Sequence, residues 1–204
     1  MRTAGLLSLV IFFPVFVHAE VIITEIMYDP KGDDASSGGE WIEVQNTGPV
    51  AIDFTKWIFF ENGTNHSITA DGSVEIPSGG YAVISSSPNV FKSYFTSFSG
   101  LLFKASFSLS DSEKLSIKNG KDDTVTDANS VTYVSDLGAK NDGNSLQKNS
   151  SGTWNPATPT PSAANASVSD LSPDPTPPDT SSDTTTTTTS ASSGAPPEYI
   201  PIPT

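Results

Sequence analysis

Few residues in this chain are of types that do chemistry, and acids dominate them. The 204 residues hold 23 Asp and Glu against 10 Lys and Arg, two His and no Cys, a net charge of −13. The only arginine, Arg2, and one of the histidines, His18, lie in the first 19 residues. Beyond them His66 is the single histidine, so a Ser-His-Asp arrangement has one candidate base. One His and no Cys cannot assemble a zinc site. His66 sits between Asn65 and Ser67, just past Asn62-Gly63, where an exposed polar side chain is expected. No Gly-rich phosphate loop stands between a strand and a helix. Nucleic-acid binding rests on neutralising phosphates and draws its specificity largely from Arg, so an acidic chain with its one Arg at the start is not expected to bind DNA or RNA.

Carboxylates are what remain. Glu40 and Glu43 lie three apart on an expected strand, which turns them to opposite faces and keeps them from acting together. Glu25 falls in alternation with Ile23 and Met27, where a partly buried carboxylate bonded to turn amides would be structural. A glycosidase-like pair could come from two strands, but nothing in the sequence selects one, and no enzyme activity is expected. Oxygen-rich loops make calcium the one cofactor the residues suggest. Asp29, Asp33, Asp34 and Glu40 surround one loop, and Asp122, Asp123 and Asp127 another. Neither has the Asp-x-Asp-x-Asp-Gly order, and the competing reading is acids solvating the end of the fold.

The elements that would hold these residues are short strands. Residues 21–28 are rich in β-branched side chains and stop at Asp29-Pro30. Residues 40–45 alternate, with Ile42 and Val44 on one face and Trp41, Glu43 and Gln45 on the other. Asn62-Gly63 is a hairpin signal. Gly79-Gly80 calls for positive φ ahead of Tyr81. Residues 88–95 are the one helical turn, with Pro88 in the first position and Val90, Phe91, Tyr94 and Phe95 on its period. About eight strands at 8–12-residue spacing predict an antiparallel, all-β sandwich.

The ends read differently. Residues 1–19 have the charged start, apolar middle and small-residue exit of a cleavable signal peptide, and the apolar run is too short to span a bilayer. The expected location is therefore secreted or at the cell surface, with no transmembrane segment after cleavage. Residues 20–165 form the domain. Residues 166–198, rich in Thr, Pro and Ser with six threonines in a row, cannot bury enough apolar surface to order, and read as a disordered, stalk-like linker. Residues 199–204 turn apolar again. They read either as the start of a further domain beyond Thr204 or as a sticky tail.

The motif order carries a resemblance. Ile22-Ile23-Thr24-Glu25-Ile26-Met27-Tyr28-Asp29-Pro30 is followed by Gly39-Glu40-Trp41-Ile42-Glu43-Val44-Gln45-Asn46. Then come Ile52-Asp53-Phe54 with Trp57, Ile76-Pro77-Ser78-Gly79-Gly80-Tyr81, Leu109-Ser110-Asp111 with Leu115-Ser116-Ile117, and Val131-Thr132-Tyr133. Asp142-Gly143-Asn144-Ser145-Leu146-Gln147, Trp154 and residues 158–165 close the series. Together they resemble the lamin tail domain of the exported bacterial type, over about residues 21–165. Where many bacterial members have Leu-Ser-Gly-Trp, this chain has Phe54-Thr55-Lys56-Trp57, which keeps the Trp. The resemblance implies an immunoglobulin-like β-sandwich in which Trp41 or Trp57 packs the core. It also implies a non-catalytic binding or structural module, with a protein or a surface polysaccharide as partner. The alternative is an accessory domain of a larger surface enzyme. A nuclear lamin role is excluded, since no coiled-coil rod is present.

Overall fold

The computed structural model describes residues 21–127 and 129–165. The expected signal peptide, linker and terminal apolar stretch lie outside the described residues. Among the described residues no helix is long and apolar enough to cross a membrane.

The chain is an all-β sandwich, as its alternation predicts. One sheet has seven strands in the order β13-β12-β1-β2-β8-β9-β6. Its centre is β1 (Val21–Met27), β2 (Trp41–Asn46) and β8 (Tyr81–Ser85), flanked by β12 (Ser145–Lys148) and β13 (Trp154–Ala157) on one side. On the other side are β9 (Leu101–Lys104) and β6 (Thr69–Ala70). All pairs are antiparallel except β8 with β9. The facing sheet has the order β11-β10-β4-β5, from β4 (Ile58–Glu61), β5 (Thr64–Ser67), β10 (Ser112–Lys118) and β11 (Ser130–Val134). A small ribbon pairs β3 (Ile52–Asp53) with β7 (Glu75–Ile76). Among the described residues there are thirteen short strands, against about eight expected; β9, β12 and β13 stand where no strand was expected. Asn62 and Gly63 both take positive φ, 42° and 96°, and join β4 to β5 as the hairpin turn their types prefer.

The core between the sheets is built by alternation. Ile23, Ile26, Ile42, Val44, Ala82 and Ile84 face Phe59, Leu115, Ile117 and Tyr133. Trp57 is packed here, against Phe54. Tyr28 and Tyr133 stack with ring centroids 5.1 Å apart, and each hydroxyl donates to a main-chain oxygen, of Gly138 and Ser110. Burial of such rings is affordable only with the hydroxyl partnered.

The outer face of the large sheet carries a second, smaller core. Met27, Trp41, Val83 and Leu102 point away from the sandwich and are covered by Phe91, Phe95 and Phe98. Helix α1 (Pro88–Tyr94) supplies Phe91, with Pro88 in its first turn as expected. The aromatic rings meet edge-on, Trp41 with Phe91 and Phe95 at 5.8 Å each. Both tryptophans named by the sequence are therefore packed, but only Trp57 lies between the sheets.

One expected face is wrong. Ile23 pairs with Val44 and Glu25 with Glu43, and the register shifts between them. Thr24 is the extra residue of a β-bulge. Val21 and Ile23 point inward before it, and Ile26 and Tyr28 after it. Glu25 thus shares a face with Met27, as expected, but not with Ile23.

Candidate functional site

The acids of the first loop are dispersed. Asp33 turns its carboxylate onto its own segment, where Oδ1 accepts from Ala35 N at 3.0 Å, and its carbonyl takes the Ser36 and Ser37 hydroxyls. Asp29 sits at a bridge to Lys140, Asp34 is exposed, and Glu40 is buried with Oε2 accepting from Leu109 N at 3.0 Å. In the second loop Asp123 ties down the Asn119 and Thr124 amides. Among the described residues no group of three or more His, Asp or Glu is placed to hold a metal ion. Glu40 and Glu43 part company as the alternation predicts.

Two groups of buried carboxyls that the sequence did not bring together do form. The first lies between the sheets. Glu61 on β4 and Glu113 on β10 lie close enough that a hydrogen bond between the two carboxyls would require Glu61 to keep its proton. Glu113 accepts from Ser110 Oγ at 2.8 Å, and its other oxygen is buried without a hydrogen-bond partner. Burial, then the Glu113 charge, push Glu61 up to about 7. Burial pushes Glu40 up to about 7 as well, helped by the charges of Asp34, Glu61 and Glu113. His66 is not the exposed residue its neighbours imply. It is half-buried against the Phe59 ring, with Nε2 3.0 Å from Glu61 Oε2 but off the line of a hydrogen bond. Burial holds its pKa below the usual value, so a neutral imidazole stands beside a carboxyl that tends to keep its proton.

The second group lies on the outer face. Glu25 and Glu43 are directly opposite on β1 and β2, and both are fully buried. Residues 158–165 run over them as a strap. Glu25 accepts from the Ser145 hydroxyl, from Gln147 Nε2 at 3.3 Å, and from Thr160 N and Oγ1 at 3.0 and 3.1 Å. Glu43 accepts from Thr24 Oγ1 and Ser162 N, each at 2.7 Å. Burial pushes the Glu43 carboxyl up to about 8, and the neighbouring Glu25 charge adds to it; burial raises Glu25 too. Ser162 takes φ +67° where it reaches Glu43. A left-handed conformation costs a non-glycine residue about 1 kcal/mol. The strap is thus held against its own backbone preference. Asn165 closes it by donating to the Thr24 and Lys148 carbonyls at 2.6 and 3.0 Å. Roofed by main chain, this pair is closed to a substrate.

Beyond the strap the outer face opens. A groove of about 640 Å³ has Ile22, Thr24 and Gln45 as floor, Tyr81 and Lys148 among its walls, and Ala164 and Asn165 of the strap at its rim. That size is usual for a ligand pocket. The floor strands are paired on both sides, so a ligand here is read by side chains rather than by an added strand. Among the described residues nothing hydrogen-bonds the Lys148 ammonium or the Tyr81 hydroxyl. The outer face therefore runs from an aromatic cap, through a strapped carboxyl pair, to an open polar groove.

This architecture agrees with the comparison of the chain with protein families. The lamin tail domain model matches residues 15–159. The chain belongs to the lamin tail domain family. The family is immunoglobulin-like and non-enzymatic, which fits carboxyls buried as structure rather than exposed as catalysts. No curated protein and no solved structure matches the chain. In this lamin tail domain, residues 160–165 of the strap lie past the last residue the family model matches.

None of the groove or the two carboxyl groups was selected by sequence reasoning. Glu61 and Glu113 lie 52 residues apart and meet only across the β4–β10 pairing. For Glu25 and Glu43 a signal did exist: each interrupts an apolar strand that otherwise reads as buried.

Proposed function

We propose that this lamin tail domain is an exported binding module, displayed at the cell surface or secreted, whose partner is taken at the outer-face groove. One observation carries the reading. The carboxyls on the outer face are consumed by internal bonds under the strap, while Lys148 and Tyr81 at the groove keep unspent hydrogen-bonding groups. The partner is a surface polysaccharide or a protein segment that presents polar groups to side chains. Export follows from the signal-like residues 1–19, and display from the Thr/Pro-rich stretch after the domain.

The test has two arms. The full chain, and a version lacking residues 1–19, are expressed in a host and followed by cell fractionation; only the full chain is expected outside the cytoplasm. Equal distribution of the two overturns export. The purified chain is then incubated with isolated surface polysaccharide and with surface protein extract. Retention that is lost in Tyr81→Ala and Lys148→Ala, with unchanged thermal unfolding, supports the groove. Retention unaltered by both substitutions places the partner elsewhere.

A further inference from the structure

We infer that Glu25 and Glu43 form a proton-operated latch that holds residues 158–165 on the sheet and so sets whether the groove has its strap-side wall. The consequence for the groove rests on the binding reading above; the latch itself does not.

The argument begins with what the pair can tolerate. Two carboxyls face each other across β1 and β2 with no water-exposed surface. On β1 and β2 the titratable groups are the two acids themselves. On β8 it is Tyr81, whose own pKa the Glu43 charge helps to raise. β12 contributes Ser145 and Gln147, and the strap contributes Thr160 and Ser162, none of which carries charge; Lys148, also on β12, lies in the groove and pairs with neither acid. Among the described residues no cation pairs with either acid. Two full negative charges in such a site repel with nothing to offset them but neutral donors, so one proton is retained between them.

The strap is the part able to yield. Ser162 is held at positive φ by its bond to Glu43, and its own hydroxyl is buried without a partner. Lifting the strap relieves both and admits water to the charged pair. The sheet beneath cannot respond in the same way, because β1 and β2 are paired on both sides. With the strap lifted, Asn165 and Ala164 leave the groove rim.

The direction with pH follows. Burial and the neighbouring charge raise Glu43 from 4.5 to about 8, and burial raises Glu25. Closed, the pair binds more protons than open. Closure is therefore fully supported below about pH 4.5 and is lost as pH rises through 8.

Hydrogen exchange of the full chain tests this without any ligand. After correction for intrinsic rates, protection of the Thr160 and Ser162 amides is expected to fall at least tenfold between pH 6 and pH 9.5. The Val44 and Ile84 amides in the same sheet should keep theirs. Glu43→Gln and Glu25→Gln each remove one charge, and either should flatten that fall to less than threefold. Wild-type strap amides equally protected at both pH values overturn the latch. So does a tenfold fall that persists in both Gln variants, and so does parallel loss at Val44 and Ile84, which would be global unfolding. Loss of partner binding with the latch intact would instead count against the groove.

Discussion

The two groups of buried acids in this sandwich meet the same problem in opposite ways. On the outer face, Glu25 and Glu43 are surrounded by hydroxyl, amide and main-chain donors, six of them arriving from β1, β12 and the strap. Between the sheets, Glu61 and Glu113 have few donors, and burial with the Glu113 charge makes Glu61 hold its proton instead. A carboxylate ringed by donors is strongly tied to what supplies them, so its removal orphans many groups. One that relies on a retained proton is tied to pH, so its neutral substitute should be harmless or better.

The largest expected effect is at the donor-rich site. Glu25→Ala leaves the Ser145, Gln147 and Thr160 donors around an empty, buried space and should destabilise the domain by about 3 kcal/mol in urea unfolding. A loss below 1 kcal/mol would mean that water serves these donors equally well.

The proton-retaining site is expected to behave in reverse. Glu113→Gln gives the Glu61 carboxylate an amide donor in place of a like charge. At pH 8, above the value of about 7 to which Glu61 is raised, the variant should be about 1 kcal/mol more stable. At pH 5, where the pair already holds its proton, it should be indistinguishable. Thermal melts at both pH values read the difference, and equal effects at both would remove the contrast between the sites. In the wild type, Glu40 and Glu61 both have pKa values raised from 4.5 to about 7. Their contribution to stability is whole at acid pH and lost as pH rises through 7, so Tm should fall between pH 5 and pH 9.

The smallest effect concerns the strap itself. Ser162→Gly removes a strained φ and an unpartnered hydroxyl, offset in part by the entropy of glycine in the unfolded chain. A net gain of about 0.5 kcal/mol is expected in the same unfolding assay. A loss would show that the buried hydroxyl is bonded after all.

Much of the fold could be read from the sequence because alternation and turn residues are local. Ile42 and Val44 face inward and Trp41, Glu43 and Gln45 outward, as their spacing says. Asn62-Gly63 turns where it should, and Pro88 opens the only α-helix among the described residues. What could not be read was set by distant strands. His66 was expected in solvent because its sequence neighbours are polar, yet the pairing of β5 with β4 lays it on Phe59 beside Glu61. The acids of the first loop are neighbours in sequence, while the structure ties Asp33 into a turn and Glu40 to Leu109. The groove depends on the strap returning over β1 and β2, a contact of residues more than a hundred apart.

The bulge at Thr24 constrains how such a domain can be inherited. β1 consists of two half-strands written in different frames, one setting Ile23 inward and the other Ile26, joined by a single added residue. Removing that residue would not shorten the strand by one position so much as turn its first half inside out, burying Ile22 and exposing Ile23. Substitutions at this position must keep a hydroxyl for Glu43, and insertions and deletions are excluded outright. In a lineage of such domains, the length of the segment before Glu25 should therefore be guarded more closely than its spelling.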